Sequence, residues 1–463
     1  MKDKRITTVA TVLLILVNVG LFSLVWLSYY NYAAFRTHRV EGALGSIAAY
    51  YIVYRWLSKL YRGYSIASTS IDETVLSQFI SFGLSDLILY VACLLLARQY
   101  VNVLPGALIV LLQLLLNTLI IWITKQVLFR FIRPESTLLV YGGKQTRDDA
   151  KSFIRRLTHK YGHLFNVSIV LSENAGDDAV LTAIGRCHSV IFMGVNQGLR
   201  AVWIEDCLNR NKVFYFVPEF ADILCASCSV KNLLDTPLMR YDYSYERNRN
   251  FILKRIFDIL LSLLFLTVLS PLMVVLAILI HAEDGGPVFY RQDRVTIKGK
   301  KFSILKFRSM VVDAEKYGAV PATERDPRVT RVGRFMRTTR LDETPQFINV
   351  LLGHMSFVGP RPERILHAAL YESQLPQFRY RLRVKGGLTG YAQVYGKYNT
   401  SPEDKLKLDM LYIENQSFLL DFKLIMLTIK TMFQPESTEG FDAATSEAIH
   451  ARDARSVREP RRG

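Results

Sequence analysis

Residues 259–280 read ILLSLLFLTVLSPLMVVLAILI, an uncharged apolar run with Ser270-Pro271 at its middle. The run is long enough to cross a bilayer as a helix. Proline removes a backbone donor and bends a helix, and a neighbouring serine can re-satisfy the freed carbonyl. The run is expected to enter a membrane, turn at Ser270-Pro271 and leave by the same face. A proline-kinked span is the alternative. Lys254 and Arg255 stand before it at headgroup level, with Asp258 placed to pair with one of them.

Upstream the chain is also apolar. Of its 463 residues 50% are hydrophobic, yet the net charge is +17. That combination suits an integral membrane protein whose basic faces meet anionic lipid and anionic substrates; nucleic acid is not expected as a partner. Residues 6–28, 43–60, 78–97 and 104–124 are expected to span. The first has no cleavage site behind it and reads as an anchor. The second carries Arg55 and Lys59, which would snorkel.

Lys2, Lys4 and Arg5 precede the first span, Lys59 and Arg62 follow the second, and Lys125, Arg130 and Arg133 follow the fourth. The positive-inside rule then places the N-terminus and everything after residue 125 in the cytoplasm, with Arg36, Arg39 and Arg98 outside. The five cysteines are too few to make a disulfide framework for this length, and the CxxC at Cys225–Cys228 has no second pair.

Residues 131–240 form the expected middle domain. Strand-like runs at 137–141, 167–171, 190–193 and 213–217 alternate with helical candidates at 146–160, 177–186 and 197–210. The alternation predicts a Rossmann-like α/β domain on a parallel sheet. Gly142-Gly143-Lys144 stands where a nucleotide-binding turn would, but G-x-G-x-x-G is absent, so a regulatory or dimerising module is expected.

The chemistry concentrates further on. Arg325, Arg328, Arg331, Arg334, Arg337 and Arg340 lead directly into Asp342-Glu343, followed by a helix-like run stopped by Gly353. Arginine forks bind phosphate, and a carboxylate among them can hold a metal or attack phosphorus. Neighbouring side chains on a helical turn point about 100° apart, so one acid can face phosphorus and the other a metal. Pro345 suits a first helical turn, which predicts both acids at a helix N-terminus. The bland reading is a solvated charge cluster.

Several blocks accompany the acid pair: Lys254-Arg255-Ile256-Phe257-Asp258, Gly286-Pro287-Val288-Phe289-Tyr290-Arg291-Gln292, Lys306-Phe307-Arg308-Ser309-Met310, Asp326-Pro327-Arg328, Arg340 through Gln346, Asn349-Val350-Leu351, Met355 through Glu363, Leu388-Thr389-Gly390 and Asp421. Over residues 251–433 the chain resembles the bacterial sugar transferase family, the monotopic polyprenyl-phosphate phosphoglycosyl transferases. The spans and the α/β module resemble its long-form members, which initiate exopolysaccharide, capsule or O-antigen units at the bacterial inner membrane, with the catalytic domain on the cytoplasmic face.

The resemblance implies transfer of a sugar-1-phosphate from a UDP-sugar to undecaprenyl phosphate, releasing UMP. It implies Asp342 as nucleophile and Glu343 as ligand to Mg²⁺. Lys306, Arg337 and Arg361 are expected phosphate contacts, with Arg308 and Glu363 holding such groups in place. It implies a mostly α catalytic domain, 250–433, with a re-entrant helix over 254–281 broken at Ser270-Pro271, and allows a homodimer. The sugar stays open, with a plain hexose favoured. The sequence departs from the family at Thr296 (usually glycine), Gly386 (usually proline) and Thr344 (usually leucine). The stretch 418–433 reads as an amphipathic surface helix or a core helix, and 434–463 as a polar, disordered tail. A membrane glycosyltransferase releasing UDP and a nucleotide-sensing scaffold are the competing functions.

Overall fold

The computed structural model describes residues 2–35, 40–131, 134–143, 145–233, 235–242, 251–314, 326–396 and 400–433. The tail at 434–463 lies outside them, as do Arg36, Arg39, Arg133, Lys144 and Arg325. The chain divides into two compact units, Met1–Val217 and Pro218–Gly463.

The first unit opens with a helical bundle. Helix α1 (Lys2–Val25) continues through a π-helical turn (Trp26–Tyr30) into α2 (Asn31–Phe35), and α3 (Val40–Leu60), α4 (Ile71–Ala97) and α5 (Leu104–Phe131) follow. Helix α1 packs on α3 and α5, and α4 on the same two. Polar groups join the helices inside. Asn18 Nδ2 donates to Asn117 Oδ1 at 2.9 Å and the Asn117 amide returns the bond at 3.0 Å, while Tyr54 OH donates to Gln78 Oε1 at 2.7 Å. Between transmembrane helices such bonds fix pairing, because the alternative is an unpaired group in hydrocarbon.

Among the described residues, four helices are long and apolar enough to cross a membrane: Arg5–Phe35, Ile71–Ala97, Leu104–Phe131 and Phe251–Asp284. The second expected span folds as α3 but is not among the four.

Four strands follow: β1 (Glu135–Tyr141), β2 (Phe165–Ser172), β3 (Ser189–Met193) and β4 (Val213–Phe216). They make a parallel sheet ordered β2-β1-β3-β4, with α6 (Arg147–Tyr161), α7 (Asp177–Arg186) and α8 (Gln197–Asn209) as crossovers. Leu138 and Val140 pack with Val180, Ile184 and Trp203 on one face. Leu139 packs with Ala150 and Ile191 on the other. The central strands β1 and β3 are covered on both faces, which is why they read as continuous apolar runs.

The expected domain boundary near residue 240 falls elsewhere, after Val217. Helix α9 (Phe220–Ala226) and the hairpin β5 (Ser229–Leu233) and β6 (Thr236–Arg240) belong to the second unit. Ile223 enters that unit's core, Phe220 stacks on Tyr380 at 5.4 Å, and Tyr241 donates to Glu414 at 3.0 Å.

The second unit is built along α10 (Phe251–Asp284), 34 residues with Pro271 inside. The expected interruption at Ser270-Pro271 does not end the helix. The remaining elements are the antiparallel hairpin β7 (Phe289–Val295) and β8 (Lys301–Phe307), α11 (Arg331–Thr339), α12 (Gln346–Leu351), β9 (Ser356–Val358), α13 (Ile365–Gln374), β10 (Gly387–Thr389), α14 (Tyr391–Tyr395), α15 (Pro402–Glu414) and α16 (Phe418–Met432). Its core joins Phe347, Val350, Phe357, Met410 and Leu424, with Leu261, Phe265 and Leu269 of α10 against it. Helix α16 is thereby a core helix on its inner face, while Leu419 at its start is exposed.

Lys254 pairs with Asp421 at 2.5 Å rather than with Asp258. Asp258 instead accepts from the Ser356 hydroxyl and the Phe357 N–H, each at 3.1 Å. Buried against β9, it satisfies a strand end that has only one paired neighbour.

Candidate active site

Asp342 and Glu343 sit in a 3₁₀ turn, Leu341–Glu343, and not in the helix that follows. Arg340 begins the turn in the left-handed region, φ 55°, which breaks the chain away from α11. Pro345 is the cap of α12 rather than its first residue, so the acids precede that helix by a turn.

Two cations converge on one oxygen of Glu343. Lys306 Nζ donates to Oε1 at 2.7 Å and Arg361 Nη2 donates to it at 2.6 Å. Lys306 comes from β8, which Asn349 of α12 fixes in place: its amide accepts from Leu305 N–H at 2.8 Å and donates to Ser303 carbonyl at 2.9 Å. Arg361 leaves the end of β9. There the backbone of Gly359 passes so close to β10 that a Cβ on Gly387 would lie 2.1 Å from its nitrogen. Only glycine allows that approach, and it sets where the arginine emerges.

Burial acts on both acids, with opposite outcomes. It raises the pKa of Asp342, and Glu343 beside it raises it further, against the pull of Lys306, Arg337 and Arg361. Burial would raise Glu343 too, but Arg361 and Lys306 hold it well below the usual carboxylate range. Arg361 is raised by Glu343 in return. Glu343 is thus a fixed anion between two cations, and Asp342 the more proton-prone, less engaged carboxylate.

The other expected residues surround this core. Arg337 Nε donates to Ser309 Oγ at 2.9 Å. Arg308 forms a two-point pair with Asp284 at the end of α10. Glu363 accepts from Lys405 at 3.0 Å and lies 3.7 Å from Arg381. Sequence reading did not single out Arg381 and Asp409, a buried pair at 2.5 Å. Arg381 also donates to the carbonyl of Arg361 at 3.1 Å and so holds that arginine's backbone in place. No local signal marks the pair, since its members stand 28 residues apart on different elements. Arg294 was missed as well; its guanidinium donates to Pro362 carbonyl at 3.0 Å, and burial lowers its pKa to about 10.

Among the described residues, no group of three or more His, Cys, Asp or Glu is placed to hold a metal. A protein-only metal cage is therefore not built here. Adjacent Asp342 and Glu343 do fit the usual mode of Mg²⁺, which takes one or two carboxylates and completes its shell with water and substrate phosphate.

Residues 249–435 match the family model for bacterial sugar transferase. A Klebsiella pneumoniae protein named UDP-glucose:undecaprenyl-phosphate glucose-1-phosphate transferase is 42% identical over 185 residues, 39% of this chain and 40% of that protein. A Bacillus subtilis putative undecaprenyl-phosphate N-acetylgalactosaminyl 1-phosphate transferase is 46% identical over 142 residues, 31% of this chain and 79% of its own length. The chain also covers 94% of a Rhizobium leguminosarum exopolysaccharide production protein, at 39% identity over 39% of itself. The chain belongs to the bacterial sugar transferase family.

Thr296 and Gly386, where the family resemblance implies glycine and proline, touch each other. Gly386 N–H donates to Thr296 Oγ1 at 3.0 Å, and both residues are buried. A proline at 386 would have no N–H to donate, and a glycine at 296 no oxygen to accept. Threonine at 296 and glycine at 386 are thus chemically matched. The chain spans 40% of the length of the Klebsiella protein and 42% of a similarly named Escherichia coli protein.

Proposed function

We propose that this sugar transferase moves a sugar-1-phosphate from a UDP-sugar to undecaprenyl phosphate and releases UMP, as the first membrane step of exopolysaccharide, capsule or O-antigen synthesis. The observation that carries the reading is the Glu343 carboxylate held by Lys306 and Arg361, with the less engaged Asp342 beside it.

An Asp342 oxygen attacks the phosphorus that bears the sugar. The bond from that phosphorus to the bridging oxygen breaks, and its electron pair leaves on UMP. An oxygen of undecaprenyl phosphate then attacks the same phosphorus, the Asp342–phosphorus bond breaks and the carboxylate is restored. Splitting the transfer in this way keeps the two anionic substrates from having to meet directly. Arg361, Lys306 and Arg337 offset the donor's negative charge as the carboxylate approaches. Mg²⁺, held by Glu343 together with the diphosphate, would supply further charge neutralisation.

In this reading α10 is re-entrant. A straight helix of 34 residues would be about 50 Å long, against a hydrocarbon core of about 30 Å. Lys254 near its start donates to Val358 carbonyl at 3.0 Å, and Asp284 at its end holds Arg308. Both ends are tied to one compact unit, while Leu260, Leu264, Val268, Val274 and Ile278 are exposed between them. Burying those residues in one leaflet leaves the active site at the cytoplasmic face of the inner membrane, within reach of lipid phosphate and soluble nucleotide.

The test is nucleotide release from a panel of UDP-sugars, with undecaprenyl phosphate and Mg²⁺. UMP is expected, and UDP would favour a glycosyltransferase and sink the proposal. Asp342→Asn is expected to lower turnover on the order of 10³-fold or more with normal membrane insertion. The homodimer allowed by the family resemblance is tested by mass measurement in nanodiscs.

A further inference from the structure

The parallel sheet of the first unit reverses its strand order between β1 and β3. In open sheets of this kind, anionic ligands bind just there, beyond the carboxyl ends of the strands. Two backbone donors meet at that point, Gly143 N–H after β1 and Asn196 N–H after β3. Both are taken by one side chain of the same domain. Glu173 accepts from Gly143 through Oε1 at 2.7 Å and from Asn196 through Oε2 at 3.0 Å.

The loops are shaped around that carboxylate. It lies directly on Gly142, where a Cβ would come within 2.2 Å of Glu173 Cδ. Gly143 and Gly194 have φ of 61° and 67°, which lets the two loops close on each other. Four carboxylates and Arg147 stand in the first turns of α6 and α7. Asp148 and Asp149 begin α6, and Asp149 accepts the Thr146 N–H at 2.8 Å in a reciprocal cap. Asp177 and Asp178 begin α7, and Asp177 accepts from Trp203 Nε1 at 3.1 Å.

We propose that Glu173 is a built-in anion standing where a ligand phosphate would stand, so that this α/β domain is closed to nucleotides. A carboxylate accepting two N–H groups makes charge-assisted bonds. A phosphate competing for them must displace a tethered group whose effective concentration is on the order of millimolar or above. The glycine-rich turn after β1 thus serves an internal acid rather than a nucleotide phosphate.

Hydrogen exchange on the full chain in detergent tests this at the Gly143 and Asn196 amides. UDP, a dinucleotide and inorganic phosphate are each expected to leave the wild-type rates unchanged. Glu173→Ala is expected to exchange at least tenfold faster at both amides, and to slow again with added acetate or phosphate but not with chloride at equal ionic strength. Nucleotide protection of the wild-type amides overturns the proposal. So do unchanged rates in Glu173→Ala, or its indifference to acetate and phosphate. Should Glu173→Ala unfold the domain, Glu173→Gln decides. Acceleration confined to the two amides supports the internal anion, and wild-type rates refute it.

Discussion

Ser270 Oγ donates to the carbonyl of Thr267 at 2.9 Å, and that carbonyl is the one whose usual helical partner would be the N–H that Pro271 lacks. The serine repairs the defect made by the proline beside it, which is why the helix passes through. Ser270→Ala is expected to destabilise the chain in detergent by about 1–3 kcal/mol, because the freed carbonyl has no water to turn to in an apolar surround. Adding Pro271→Ala restores a backbone donor and should recover the loss. Equal melting of Ser270→Ala and wild type would refute this.

The proposed attack on phosphorus requires Asp342 to be ionised, and burial holds its pKa above the ordinary aspartate value of about 3.9. Activity is therefore present above that raised pKa and lost as pH falls through it. Lys306, Arg337 and Arg361 each pull the value down. Arg337→Gln removes one of these cations, so the acid limb of kcat/KM should move to higher pH. A limb that stays in place would show that Arg337 does not act on Asp342.

The Arg381–Asp409 pair is almost fully enclosed, at 4% and 1% side-chain exposure. Arg381→Met strands a buried carboxylate and should cost about 3–5 kcal/mol in thermal unfolding. Burial already raises Asp409, and Arg381 opposes it. Without the arginine the acid should take up a proton more readily, so the loss should shrink as pH falls. Arg381→Met with Asp409→Asn should recover part of it at neutral pH.

Thr296→Val keeps shape but removes the acceptor of the buried Gly386 N–H. A loss of about 1–3 kcal/mol is expected. Gly386→Ala acts differently, since its Cβ would come 2.5 Å from Pro362 Cγ. Pro362 follows Arg361 directly, so this variant should lower kcat/KM more than it lowers the melting temperature. The reverse ratio would place Gly386 in stability alone.

Much of the architecture was legible because periodicity is local. The runs at 137–141, 167–171, 190–193 and 213–217 became β1 to β4, and the helical candidates between them became α6, α7 and α8. The domain boundary was not legible. Residues 218–241 follow the last strand without a break in composition, and contacts such as Ile223 and Phe220 finding a core elsewhere assign them. The expected pairing of Asp258 with Lys254 or Arg255 failed for a similar reason. Asp258 is one helical turn away, but the backbone of β9 claims it, and Asp421 arrives from far along the chain.

The sequence by itself determined that an acid pair lies among arginines, beside an apolar run interrupted by proline, because adjacency and composition are written in the chain. Tertiary structure decided how the pair divides. Lys306 on β8 and Arg361 in the loop after β9 reach Glu343 from 37 and 18 residues away, and both close on the same oxygen. Glu343 is thereby fixed as an anion, while Asp342 keeps the raised pKa that burial imposes. Charge depends on what surrounds a group in space, and two neighbouring carboxylates in sequence acquire different chemistry only when the fold brings cations to one of them.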